Sequence, residues 1–145
     1  MAQYYSKGGA NDSSYLRFET PANWNTEADG SGSDATDLTG AHLILQANDF
    51  MDLGANVSIG SVTTLGDSHL KGHTSYTITC TAEGDGSEGT NGYAINLDGT
   101  LDGDNLLNLA ISGSFDTNVD LLTQTTHYPR NFSLNMADGN PVTNQ

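Results

Sequence analysis

A chain of 145 residues with 35% hydrophobic content is the size of a single domain built around one modest core. It sets 4 Lys and Arg against 18 Asp and Glu, a formal net charge of -14. Such a balance excludes nucleic acid and anionic membranes as partners, because both are gripped by clustered basic side chains, and Lys7, Arg17, Lys71 and Arg130 are scattered. The same acidity keeps a β-rich surface soluble by like-charge repulsion.

Residues 1–40 read as a polar N-terminal arm, broken by Gly8-Gly9, by Thr20-Pro21 and by the run Asp29-Gly30-Ser31-Gly32-Ser33-Asp34. Only Tyr15-Leu16-Arg17-Phe18 offers a short strand. The arm carries Tyr4, Tyr5, Tyr15, Phe18 and Trp24, side chains that contribute much contact area at small entropic cost, and so it is expected to dock on or beside the core and to supply interface anchors. The opening heptapeptide has neither a basic n-region nor an apolar h-region, which predicts a protein made in a cytoplasm without a signal peptide.

Residues 41–138 are the expected β core, and residues 139–145 a short tail. Leu43-Ile44-Leu45 is a continuous apolar run. The segment Asn48 to Gly54 reads as one helical turn or a tight loop. Beyond it the period is two: Val57 and Ile59 with Val62, then Tyr76, Ile78 and Cys80, then Tyr93, Ile95 and Leu97, then Leu107, Leu109 and Ile111, and finally Phe132, Leu134 and Met136. Cys80, the lone cysteine, thus falls on a buried strand face, and no disulfide staples the chain. Turn signals such as Leu65-Gly66-Asp67 and Asp98-Gly99 separate the runs. The prediction is an all-β protein, either a sandwich or jelly roll or a short β-solenoid, with an extended N-terminal arm. Strand spacing is uneven and shows no strict internal repeat, which argues against a regular hexapeptide helix.

Two stretches carry a resemblance. Tyr4-Tyr5-Ser6-Lys7-Gly8-Gly9 followed by Pro21-Ala22-Asn23-Trp24-Asn25, and later Ile95-Asn96-Leu97-Asp98-Gly99-Thr100-Leu101-Asp102-Gly103, resemble the opening and the rungs of Gly-rich β modules in bacterial surface proteins and in small bacteriophage virion proteins. The resemblance covers about a third of the chain. It implies a structural virion protein, such as a capsid decoration (cement) or fibre-associated subunit. The implied partners are a major capsid protein or other virion subunits, and the implied assembly is a homo-oligomer, a trimer being favoured.

Catalysis needs an activated nucleophile or two convergent carboxylates, and no such pattern is legible, so the chain is expected not to be an enzyme. His69 and His73 have i, i+4 spacing, but Gly66 and Gly72 place them in a loop. No cofactor is expected. Calcium is the ion that the closely spaced oxygen donors suit, with Asp29, Asp34, Asp102 and Asp104 as its candidate ligands. The competing function is a carbohydrate-binding or adhesive module, with Trp24, flanked by Asn23 and Asn25, as its sugar platform.

Overall fold

The computed structural model describes residues 2–8, 14–82, 94–102, 107–113, 117–120, 131–136 and 142–144, with the strands beyond residue 112 described by their backbone. The regular structure of the described chain is almost all strand: β1 (Gln3–Ser6), β2 (Leu16–Arg17), β3 (Trp24–Asn25), β4 (His42–Leu45), β5 (Phe50–Asp52), β6 (Val57–Ile59), β7 (Ser61–Thr64), β8 (His69–Lys71), β9 (Thr77–Cys80), β10 (Ile95–Leu97), β11 (Thr100–Asp102), β12 (Asn108–Gly113), β13 (Thr117–Asp120), β14 (Asn131–Met136) and β15 (Val142–Asn144). A single 3-10 turn, Pro21–Asn23, interrupts them.

Three sheets share these strands. The first runs β15-β13-β10-β7-β4-β1-β3, the second β11-β8-β5-β2 and the third β14-β12-β9-β6. From β4 to β12 the chain visits first, second and third sheet in turn, three times over. Every described strand pairing is parallel except that of β1 with β3, and an isolated antiparallel bridge joins Asn25 to Asp34. Parallel neighbours need a crossover of a dozen residues or more, usually a helix. Here the crossover from β4 to β7 consists of β5 and β6 themselves, strands of the other two sheets.

Alternation now acquires a direction. The inward positions of the second sheet stack as Leu16, Met51, Leu70 and Leu101. Those of the third sheet stack as Val57, Ile78 and Leu109 and as Ile59, Cys80 and Ile111. In the first sheet Leu43, Val62 and Ile95 lie over one another. Each residue sits on an apolar partner one strand spacing away, about 4.8 Å. Fully burying a Leu or Ile contributes about 1.5–3 kcal/mol, and Met51, Leu70, Ile78, Ile95 and Ile111 are no more than 1% exposed.

Corners between sheets are tight. Asn48 and Asp67 both adopt positive φ, 66° and 64°, at the turns that lead from the first sheet into the second. Asn48 donates its N–H to the Asp67 carbonyl at 2.9 Å, so the two turns stack. Gly60, between β6 and β7, has room for no side chain, since a Cβ there would lie 2.5 Å from the Gly40 carbonyl oxygen.

The N-terminal residues close one end of the core. Strand β1 lies between β4 and β3 within the first sheet. Phe18, Trp24, Ala35 and Leu38 belong to the same buried cluster as Leu43 and Ile59, so apolar packing runs without a break across residue 40. At the other end β15, in the segment expected to be a tail, pairs with β13. The segment Asn48 to Gly54 is neither a helical turn nor wholly a loop, for Phe50–Asp52 is strand β5. Parallel partners on both sides recruit a three-residue strand that its local sequence does not announce. His69 likewise opens strand β8 instead of lying in a loop.

Candidate functional site

The outer side of the second sheet gathers most of the described chemistry. Its register lines up Arg17, Asp52, Lys71 and Asp102, one charged residue from each strand and alternating in sign. Arg17 Nη1 lies 3.0 Å from Asp52 Oδ2. Burial pushes the Asp52 carboxyl above its ordinary range, against the pull of Arg17. Its Oδ1 is buried without a described hydrogen-bond partner. Beside this column Phe50 and His69 stack face to face, with ring centroids 4.1 Å apart and planes 7° from parallel.

Tyr15 lies over that column. Its ring meets Phe50 edge-on at 5.6 Å, and Lys71 Nζ sits 5.6 Å from its centroid. Its hydroxyl donates to Asp102 Oδ2. The same carboxylate oxygen lies 3.1 Å from His69 Nδ1. Apart from Asp52 Oδ1, the strip pairs within itself: each cation faces an anion in register, and the described aromatic rings turn faces or edges toward one another.

The third sheet presents a different outer face. Strands Val57–Ile59, Thr77–Cys80, Asn108–Gly113 and Asn131–Met136 contain no charged residue. Its outward positions up to residue 112 are Ser58, Thr77, Thr79, Asn108, Ala110 and Ser112, all exposed or part-exposed. The inner face buries Cys80, whose thiol is pushed far up by desolvation and is inert at neutral pH.

A cleft of about 220 Å³ opens between the first sheet and the N-terminal loop, lined by Ser6, Lys7, Asp29, Gln46 and Asp49 among others. Ser6 Oγ donates to Asp49 Oδ2 and accepts the Gln46 N–H at 2.9 Å. Burial raises the Asp49 carboxyl, partly offset by the Ser6 hydrogen bond. The cleft is smaller than the roughly 300–1,000 Å³ that ligand sites usually need.

The residues singled out in the sequence disperse among these features. Phe18 and Trp24 are wholly buried and pack edge to face at 5.1 Å. Trp24 Nε1 donates to the Phe18 carbonyl at 2.7 Å. Both are core plugs rather than interface anchors, and Trp24 has no ring face open to a sugar. The reason is positional, since the first and last cycles of a parallel stack expose their apolar interior unless large side chains close it. Tyr4 and Tyr5 are part-exposed on β1, and Tyr4 packs against the core. Tyr15 is the arm residue that joins the charged strip.

Three of the four carboxylates expected around calcium have separate partners. Hydrogen bonding from the Ser31 side chain, and then from the Ser31 N–H at 2.9 Å, holds the Asp29 carboxyl low. Asp34 Oδ1 takes Lys7 Nζ at 2.8 Å and Asn25 Nδ2 at 3.1 Å, and those bonds hold its carboxyl low. Asp102 is engaged by Tyr15 and His69. Asp104 lies outside the described residues. Among the described residues no three His, Cys, Asp or Glu side chains group so as to hold a metal ion, and no helix is long and apolar enough to cross a membrane.

Sequence reasoning missed the charge ladder, because Arg17, Asp52, Lys71 and Asp102 are separated by 35, 19 and 31 residues and only the register unites them. No family model, no curated protein and no solved structure matches the chain.

Proposed function

We propose that the chain is a short β-solenoid serving as a structural virion protein, a capsid decoration or fibre-associated subunit. On this reading it binds a major capsid protein or another virion subunit as a symmetric homo-oligomer. The observation that carries the solenoid half is the cyclic visit to three parallel sheets in common register; sandwiches and jelly rolls pair their strands antiparallel. A parallel stack of this kind is stiff along its axis, since each cycle is hydrogen-bonded to the next and a continuous apolar ladder runs through all of them. Stiffness and an acidic surface suit a part that reinforces an assembly, where weak contacts repeated over a lattice become strong by avidity.

The direct test is composition. Particles purified from the virus whose genome encodes the chain should contain it at a fixed, integral ratio to the major capsid protein by quantitative mass spectrometry. Purified particles that lack it altogether would overturn the virion reading. A small-angle scattering profile of a globular sandwich would overturn the solenoid reading separately.

A further inference from the structure

In a solenoid each cycle touches only its neighbours, so stability is nearly a sum of nearest-neighbour terms and either end frays independently. Tyr15 breaks that rule. It precedes β2, at one edge of the second sheet, yet its hydroxyl donates to Asp102 at the end of β11, the opposite edge, 87 residues away in sequence. On the way its ring meets Phe50 of β5 and the ammonium of Lys71 of β8. Asp102 is in turn held by His69 of β8 at 3.1 Å. One side chain thus touches all three strands beyond its own.

We infer that Tyr15 is a clasp that ties the first cycle of the stack to the fourth and makes the second sheet open as one cooperative unit. The inference rests on the solenoid reading and is independent of the virion reading. β2 and β11 stand three strand spacings apart, about 14 Å, so no backbone hydrogen bond couples them directly. With the clasp closed, β2 cannot fray without releasing the donor to Asp102. Equally, β11 cannot leave without uncovering the Tyr15 ring. The ionisable groups around the clasp are Lys71 and His69 from β8, Asp52 from β5, Arg17 from β2 and Asp102 itself.

The test is Tyr15→Phe in the full chain, which keeps the ring and removes only the hydroxyl. Amide hydrogen exchange, followed peptide by peptide at pH 7, should show faster exchange in Thr100–Asp102 as well as in Leu16–Arg17, by about tenfold or more. The third-sheet strand Thr77–Cys80 should be unchanged. Asp102→Asn, which keeps a weaker acceptor, should give the same pattern less strongly, and the double variant should be no worse than the more affected single one. Faster exchange confined to the residues around position 15, or additive effects in the double variant, would overturn the inference. If Tyr15→Phe fails to fold, Asp102→Asn and Lys71→Met carry the same comparison. An outcome that overturns the clasp leaves particle composition untouched, so the two readings fail separately.

Discussion

The second and third sheets are built alike inside and unlike outside. Inward, one stacks Leu16, Met51, Leu70 and Leu101, and the other Ile59, Cys80 and Ile111 beside Val57, Ile78 and Leu109. Outward, the second sheet places one charge in every strand in alternating sign, while the strands of the third contain none. The pair teaches that the interior stack alone sets the strand register, leaving the outer face free to be written in either chemistry. A parallel register brings identical positions together, so like charges would lie side by side unless successive cycles alternate. The second sheet alternates; the third avoids the problem by carrying no charge.

The largest effect should come from the shared interior. Leu70→Ala in the second sheet and Ile78→Ala in the third each remove a buried side chain and leave a cavity, at a cost of about 2–5 kcal/mol. Urea midpoints should fall by similar amounts in the two variants. A loss confined to one of them would show that the two interiors are not equivalent.

The outer faces should then part company. Lys71→Glu places three acids in a row, Asp52, Glu and Asp102, and should cost about 1 kcal/mol or more at low salt, since like charges directly opposite destabilise a sheet. Adding salt should recover part of the loss. Thr79→Glu on the third sheet meets no charged neighbour in register and should stay within about 0.5 kcal/mol of the parent. Equal losses in the two variants would remove the distinction between the faces.

Of these two sheets, the second carries among the described residues the pH term that Asp52 supplies. Its folded-state pKa is raised by burial, so the folded protein binds that proton more tightly than the unfolded chain and the ionised form is penalised. The penalty is present above the folded pKa and disappears as pH falls below the unfolded value. Asp52→Asn should therefore be the more stable protein at pH 7, with the advantage shrinking as pH is lowered through the acid range. Urea titrations at several pH values check the sign, and an advantage that grows toward acid would refute it.

The smallest effect is chemical rather than energetic. Cys80 is fully buried with its thiol held protonated, so a thiol reagent at pH 8 should leave the native protein unlabelled and react fully in urea. Rapid native labelling would place Cys80 outside the interior of the third sheet.

Much of the interior was legible from alternation. Ile78 and Cys80, Ile95 and Leu97, and Leu109 and Ile111 are buried where a period of two puts them, and the turns at Gly66-Asp67 and Asp98-Gly99 fall between strands. The repeat was illegible because the cycles differ in length. Ser61 lies over His42, 19 residues on; Ile95 lies over Val62, 33 on; Val119 lies over Ile95, 24 on. Connections back to the first sheet absorb most of the difference: one residue separates β6 from β7, and 14 separate β9 from β10.

The sequence by itself determined which residues are apolar on alternate positions, where the backbone must turn, and that the surface is acidic. Those are local properties, set by side-chain type and by the allowed φ and ψ of each residue. Only the tertiary structure decided that neighbours run parallel, that Phe18 and Trp24 close the core, and that Arg17, Asp52, Lys71 and Asp102 stand in one line with Tyr15 across it. A strand's pattern names the face that must be buried but not the strand that will bury it. That choice depends on the lengths of the corners between sheets, summed over a whole cycle.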